Sequence, residues 1–221
     1  MVDAAVQRKN MVESQVRPSD VTDRRILRAM LDIPREAFVP EALRSLAYMD
    51  TDVRLLAAVP GKAARAMLAP RVFARLLNLT ALEAGDVVLD VGTGSGYSAA
   101  VLARIVRTVV ALECDPGLAD TARNLLATAP NVSVVTGGLA AGWPGSGPYD
   151  VIILEGGVSD VPEVLRDQLK DGGRLVAVVG ENGQHKATLW RRLGSNFDQR
   201  AAFDAAAPRL PGFERKPAFS L

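Results

Sequence analysis

The sequence predicts an α/β protein with a doubly wound, mostly parallel sheet and an N-terminal helical cap. Short apolar runs alternate with segments whose apolar residues recur at helical spacing, as in a parallel sheet covered on both faces. One run, Val87 to Val91, leads into glycines at positions 92, 94 and 96 and then into a helical segment. The first 80 residues are predicted to form helices and irregular turns.

Composition limits the class of protein. A chain of 221 residues with 48% hydrophobic residues can bury one substantial core. The net charge of +1 gives no reason to expect nucleic acid or an anionic membrane as partner. The single cysteine, Cys114, excludes an internal disulfide and fits a reducing cytosol. Because no signal core or membrane-spanning apolar stretch is present, we expect a cytoplasmic protein, and its oligomeric state stays open.

The cap is predicted to span residues 1–80 and to lie across the carboxyl ends of the strands, where open parallel sheets bind ligands. Its predicted helices are at 3–16, 20–31, 41–46 and 71–79. Ser19 or Asp20 is the expected N-cap of the second helix, which should end before Pro34. The stretch 47–70 is expected to be irregular.

An α/β domain is predicted over residues 81–204, followed by an irregular tail at 205–221 that contains three prolines. The predicted strands are at 87–91, 108–113, 131–136, 149–154, 171–179, 185–192 and 196–202. Asp115 followed by proline indicates a helix start, and Asp160 to Glu163 resembles a capping box.

The glycine turn carries the main functional signal. Gly92, Gly94 and Gly96 follow the spacing G-x-G-x-G, and Tyr97 stands where a dinucleotide fingerprint would need its third glycine. No Gly-Lys-Ser/Thr follows, which excludes a P-loop. The next strand ends in Glu113, a carboxylate able to accept hydrogen bonds from ribose hydroxyls. This pattern resembles S-adenosylmethionine-dependent methyltransferases; the alternative is a glycine turn that only packs.

Further strings, in order, resemble the protein-L-isoaspartate O-methyltransferase family. They lie at 24–40, 47–50, 88–97, 142–144, 168–175 and 179–180. The resemblance runs from about residue 10 to 192 and implies a Rossmann-like methyltransferase fold. It also implies S-adenosyl-L-methionine as cofactor and a protein or peptide carboxylate as substrate. Such enzymes repair damaged protein by methylating the α-carboxylate of L-isoaspartyl residues, and the ester then closes to a succinimide.

The expected cofactor-binding residues surround the glycine turn and the ends of the neighbouring strands. They are Asp90, Gly92, Thr93, Gly94, Ser95, Gly96, Glu113, Cys114, Gly138, Leu139 and Glu155. No catalytic base is identified, and none is needed, because an ionised carboxylate is already a nucleophile that only has to be aligned and desolvated. The sequence also contains no metal-ligand cluster.

The chain departs from the family pattern on the substrate side. Ala66, Met67 and Leu68 stand where the family has Thr, Ile and Ser. The family's substrate-side position therefore falls on Leu68, with Arg65 and Ala66 as further candidates. The sequence Gly137-Gly138-Leu139 stands where the family has Gly-Asp-Gly, so the acid is missing and one expected cofactor contact is removed.

Two alternatives to the repair enzyme remain open. An apolar wall at Ala66–Leu68 favours a methyltransferase redirected to another substrate, and a cofactor-binding module without catalysis is the other possibility. Several polar residues also have ordinary structural interpretations. Lys62, Arg65 and Arg71 would be solvated, Cys114 structural, Tyr97 and Trp143 packed in the core, and His185 on the surface.

Overall fold

The computed structural model describes residues 3–181 and 184–214. The helices are α1 (Ala4–Met11), α2 (Arg24–Asp32), α3 (Pro70–Leu79), α4 (Tyr97–Leu102), α5 (Pro116–Leu125) and α6 (Glu163–Arg166). The strands are β1 (Val53–Leu56), β2 (Arg65–Met67), β3 (Val87–Val91), β4 (Thr108–Glu113), β5 (Val132–Thr136), β6 (Tyr149–Val158), β7 (Leu169–Glu181), β8 (Gln184–Leu193) and β9 (Asn196–Asp204). Among the described residues, no helix is long and apolar enough to cross a bilayer.

The main sheet has seven strands in the order β5-β4-β3-β6-β7-β8-β9. The strands from β3 to β7 pair in parallel, and β8 and β9 add an antiparallel edge. Successive strands run outward from β3 to β5 and then return to β6 on the other side of β3. This reversal creates a crevice at the carboxyl ends of β3 and β6, the usual ligand position in such sheets. The predicted fold class is confirmed.

The central strands are buried on both faces, which explains their nearly continuous apolar sequence. Val88 and Ile153 face one core, which they share with the N-terminal helices and with α3 to α5. Leu89 and Leu154 face a second core, which also includes Leu165 of α6. The alternation of neighbouring residues between two cores follows from the two-residue period of a strand.

The N-terminal helices differ from the prediction at their ends. The first α-helix ends at Met11 and continues as a π-helical turn over Val12–Val16 and a 3₁₀ turn over Arg17–Ser19. The second begins at Arg24, and Asp23 caps it by accepting a 2.8 Å hydrogen bond from the Arg25 N–H. The predicted caps Ser19 and Asp20 are therefore wrong. Several cap-forming residues precede this helix, so composition alone does not select among them.

Two other local predictions are corrected. The stretch 47–70 contains an antiparallel hairpin in which Val53 of β1 pairs with Met67 of β2. Its strands are too short to show a clear alternating pattern. Asp160 does not cap a helix; it accepts a hydrogen bond from its neighbour Val161, and the single-turn helix α6 follows Pro162.

The C-terminal segment takes a position in the sheet that the sequence does not predict. The Gly157 N–H donates to the Pro208 carbonyl at 2.8 Å, and the Leu210 N–H donates to the Gly157 carbonyl at 2.9 Å. Since β7 occupies the other side of Gly157, residues 208–210 lie beyond the carboxyl end of β3. Of the predicted tail, residues 215–221, including Pro217, lie outside the described residues.

We expect Gly96→Ala to destabilise the fold by about 2 kcal/mol more than Gly172→Ala. Both glycines have positive φ, +98° at Gly96 and +75° at Gly172, which costs any other residue about 1–2 kcal/mol. A Cβ at Gly96 would also lie 2.8 Å from Leu126 Cδ1, whereas none of the described atoms lies within 4 Å at Gly172. Urea unfolding of both variants measures the difference, and equal losses would contradict this steric account.

Candidate functional site

The glycine turn is attached to the end of the neighbouring strand. The N–H groups of Gly92 and Thr93 donate to the Leu112 carbonyl at 2.8 and 3.1 Å, and the Gly96 N–H donates back to Thr93 at 3.0 Å. Helix α4 begins immediately afterwards at Tyr97. The turn therefore lies at the carboxyl ends of β3 and β4, directly beside Glu113.

Glu113 is completely buried and held by three backbone N–H groups. Its Oε2 accepts from Gly94 at 2.8 Å, and its Oε1 accepts from Cys114 at 2.9 Å and Asp115 at 3.1 Å. Burial acts to raise the pKa of Glu113, but Arg65 and these N–H groups outweigh it and hold the pKa below its ordinary value. The carboxylate is thus ionised and fixed in orientation.

Arg65, the first residue of β2, forms a buried forked ion pair with Glu113. Its Nε lies 3.2 Å from Oε1 and its Nη2 lies 2.8 Å from Oε2, while Nη2 also donates to the Gly92 carbonyl at 2.9 Å. The Arg65 side chain is 3% exposed. Lys62 and Arg71 instead form exposed pairs with Asp115 and Asp50. The expectation that Arg65 is solvated is therefore wrong, because the ion pair with Glu113 keeps its side chain buried.

The space above the glycine turn is filled by side chains of the chain itself. A Cβ placed on Gly92 would lie 2.8 Å from Leu210 Cδ2, 3.0 Å from Arg65 Nη2 and 3.6 Å from Leu139 Cδ1. The cavity left beside the turn, next to Leu68, has a volume of about 10 Å³. That is the volume of about one water, far below the roughly 300 Å³ of a small-ligand pocket.

Two further carboxyl groups are buried near the turn. The Ser98 hydroxyl donates to Asp90 Oδ2 at 2.6 Å, and burial raises the pKa of Asp90 to about 6. Glu155 lies within β6, and its Oε1 has no hydrogen-bond partner among the described residues. Burial, and secondarily the charge of Asp90, raises the pKa of Glu155 well above its ordinary value.

Residues 66–68, which the sequence predicts to face the substrate, form an apolar wall beside the turn. Met67 and Leu68 are buried, and the Leu68 carbonyl accepts from Arg35 Nη2 at 2.6 Å. Arg35 is fully buried, donates to the Ala47 carbonyl at 2.7 Å, and has its guanidinium 4.7 Å from the centre of the Tyr97 ring. Sequence reasoning missed Arg35 as a site-positioning residue, although it lies within the 24–40 string.

The other residues predicted to bind the cofactor differ in burial and in their contacts with the turn. Ser95 is buried and its hydroxyl donates to the Phe38 carbonyl, so it holds the turn against the cap. Leu139 is buried against the turn, whereas a Cβ on Gly138 would meet none of the described atoms within 4 Å. Burial raises the pKa of the Cys114 thiol to about 11, which leaves it protonated at neutral pH. Thr93 lies 3.3 Å from the Ser98 hydroxyl.

Two further residues pack near the glycine turn, one that directly follows it and one from the C-terminal segment. Tyr97 is buried between Phe38 and Phe73, with ring centres 5.7 Å apart in each pair, as expected for a packing residue. Leu210 enters from the C-terminal segment, and no local sequence signal marks it. Within residues 3–181 and 184–214, no cluster of His, Cys, Asp or Glu could hold a metal ion.

We expect Asp90→Asn to flatten a fall in stability that the wild type shows between about pH 4 and pH 6. The pKa of Asp90 rises from 3.8 to about 6 in the fold, so the folded state keeps a proton that the unfolded chain has released. The contribution of Asp90 to the free energy of unfolding therefore decreases as pH rises through this window, by an amount on the order of a few kcal/mol. Urea titrations between about pH 4 and pH 6 measure the free energy of unfolding of each protein, and the exposed variant Asp120→Asn is the control. Parallel wild-type and Asp90→Asn profiles would contradict the assignment.

Comparison with known proteins gives a consistent result. The sequence model of the family described as protein-L-isoaspartate(D-aspartate) O-methyltransferase (PCMT) matches residues 6–204. A protein-L-isoaspartate O-methyltransferase from Rhodopseudomonas palustris is 43% identical over 208 residues, covering 92% of this chain and 93% of its own length. One from Methylorubrum extorquens is 40% identical over 200 residues, covering 90% of this chain and 85% of its own length.

Solved structures agree in fold. A protein-L-isoaspartate O-methyltransferase superposes with a TM-score of 0.82 at 27% identity, covering 93% of this chain and 66% of that longer protein. A second, described as a putative enzyme of this name from Plasmodium falciparum in complex with S-adenosyl-L-homocysteine, gives a TM-score of 0.73 at 21% identity. It covers 91% of this chain and 96% of that protein, and the likeness is one of fold. The chain belongs to the protein-L-isoaspartate O-methyltransferase family of S-adenosylmethionine-dependent methyltransferases.

Proposed function

We propose that this chain transfers the methyl group of S-adenosylmethionine to the α-carboxylate of L-isoaspartyl residues in damaged protein. The observation that carries the proposal is the position of Glu113, ionised and oriented, beside the glycine turn at the carboxyl ends of β3 and β4. A buried carboxylate with fixed orientation at this point suits a pair of ribose hydroxyls. The family matched over residues 6–204 supplies the substrate class.

The donor set fits the adenosine end of the cofactor. Glu113 would accept from the ribose, the glycine turn would lie against the amino-acid end, and Cys114, Gly138 and Leu139 would border the base. Asp90, Thr93, Ser95 and Glu155 would support the turn and its far side. The volume for the cofactor is taken by Arg65 and Leu210 in the described conformation, so these two side chains have to shift for it to enter.

The chemistry asks little of the protein beyond alignment. The cofactor supplies a methyl group already activated on a positively charged sulfur. The apolar wall of Met67 and Leu68 excludes water, which leaves the substrate carboxylate poorly solvated and more nucleophilic. Because Leu68 offers no hydroxyl, we assign substrate-carboxylate binding to the guanidinium of Arg65, which is adjacent in sequence to Ala66 and forks onto a carboxylate.

The same proposal assigns a role to each segment of the chain. Residues 1–80 would form the substrate-side cap, residues 81–204 the cofactor-binding α/β domain, and residues 205–214 a cover over the glycine turn. The predicted cytoplasmic location of this protein would place it with the cytosolic proteins that it is proposed to repair.

The direct test is methyl transfer from labelled S-adenosylmethionine to an isoaspartyl peptide, with the same peptide containing normal aspartate as control. We expect labelled, base-labile ester on the isoaspartyl peptide alone. Binding of S-adenosylhomocysteine without transfer to either peptide would contradict the repair function. It would then leave a redirected or inactive methyltransferase.

Replacing Glu113 by alanine should lower the affinity for S-adenosylhomocysteine by about 10- to 100-fold. A ribose hydrogen bond to this charged acceptor is worth roughly 1.5–3 kcal/mol, which corresponds to about 10- to 100-fold in affinity. Calorimetric titration measures the change, and Asp120→Asn on the exposed face of α5 is the matched control. An unchanged affinity in the Glu113 variant would place the ribose elsewhere.

A further inference from the structure

In the proposed reaction Glu113 binds the cofactor ribose and Arg65 binds the substrate carboxylate. In the structure, however, these two residues are paired with each other. We propose that Arg65 holds Glu113 in the cofactor-free protein and exchanges it for the substrate carboxylate when the cofactor ribose takes Glu113. This inference rests on the proposed function. It makes Arg65 a specificity-determining residue whose availability depends on the cofactor.

The hydrogen-bonding capacity of Glu113 requires the exchange. An ionised carboxylate offers about four lone-pair sites. Oε2 already accepts from Gly94 and Arg65, and Oε1 accepts from Cys114, Asp115 and Arg65. The three backbone donors belong to the turn and to the start of α5, so they stay in place. Ribose hydroxyls therefore gain access to Glu113 only when the guanidinium of Arg65 leaves.

Arg65 lies at the start of β2, next to the exposed tip of a short hairpin. The hairpin strands β1 and β2 have four and three residues, and their register shifts between Arg54 and Leu56. Residues 57–64 at the hairpin tip are exposed. The tip is tied to α5 by the Lys62–Asp115 pair at 3.3 Å, and exposed pairs of this kind contribute little. The tip and the Arg65 side chain can therefore move while Val53, Leu55 and Met67 stay in the core.

Once displaced, the guanidinium needs another anionic partner. A desolvated cation without an acceptor is strongly unfavourable, so a second carboxylate at the site stabilises the displaced state. Arg65 immediately precedes the Ala66–Leu68 wall, where the family resemblance places the substrate. The forked geometry that it makes with Glu113 is the geometry by which arginine binds any carboxylate. The α-carboxylate of an isoaspartyl residue supplies that group.

The first test is calorimetric titration of Arg65→Ala with S-adenosylhomocysteine. We expect the variant to bind at least tenfold more tightly than the wild type, since no guanidinium has to be displaced from Glu113. Arg54→Ala, which removes an exposed arginine from the same hairpin, should leave the affinity unchanged. Equal or weaker binding by Arg65→Ala would overturn the proposal, because Arg65 would then be neutral or a cofactor ligand.

The second test measures isoaspartyl peptide binding to protein saturated with S-adenosylhomocysteine. Arg65→Ala should bind the peptide at least tenfold more weakly than the wild type, and Arg65→Lys should recover part of that loss. Unchanged peptide affinity would show that the displaced guanidinium finds another acceptor, such as Glu155, and would overturn the exchange. Both binding measurements can be made without turnover. Absence of methyl transfer would contradict the proposed function, and it is therefore distinguishable from a failure of the cofactor titration or of the peptide-binding test.

Hydrogen exchange on the wild type keeps the proposal testable if Arg65→Ala does not fold. Addition of S-adenosylhomocysteine should change amide exchange in residues 53–67 as well as in the glycine turn. Protection confined to the turn and the start of α5, with an unaltered hairpin, would show that Arg65 stays in place and would overturn the exchange.

Discussion

The buried ion pair between Arg65 and Glu113 organises the carboxyl edge of the sheet. It joins three separate elements, since Arg65 belongs to the hairpin, Glu113 ends β4, and Gly92, whose carbonyl shares the guanidinium, begins the glycine turn. Charge burial is costly, and the pair is tolerable because the carboxylate is satisfied by backbone N–H groups and the guanidinium by two acceptors. The pair joins the hairpin to the turn, and three buried apolar side chains of β1 and β2 anchor the hairpin in the core.

A second buried arginine performs a comparable task on the opposite side of the hairpin. Arg35 donates to the carbonyls of Ala47 and Leu68 and lies over the ring of Tyr97, so it connects the N-terminal cap to the substrate-side wall and to α4. Its two backbone acceptors keep it in place as a positioning residue. The two arginines therefore differ in kind: Arg35 is bound by fixed carbonyls, whereas Arg65 is bound by a carboxylate to which the proposed function gives another partner.

The acids beneath the turn lower the stability of the site that they build. Burial raises the pKa of both Asp90 and Glu155, the charge of Asp90 adds to the rise at Glu155, and Glu155 has one oxygen without a partner in the described part of the chain. Such unfavourable burial is common where a binding site is organised in advance of its ligand. The same edge of the sheet thus combines a fully hydrogen-bonded carboxylate at Glu113 with two carboxyl groups, on β3 and β6, whose ionised forms are disfavoured by burial.

Local patterns in the sequence determined the parallel sheet, the glycine turn and the acid at the end of β4, because each depends on residues adjacent in the chain. Buried strands need unbroken apolar runs, and a turn with positive φ needs glycine. The occupant of the turn was decided by tertiary structure alone. Arg65 reaches Glu113 across 48 residues, and Leu210 arrives from the C-terminal segment through pairing with Gly157. Neither contact leaves a local periodicity, since an arginine followed by apolar residues fits an exposed loop as well as a buried ion pair. Only the packing of the hairpin and the tail over β3 showed that the chain's own side chains occupy the space above the glycine turn.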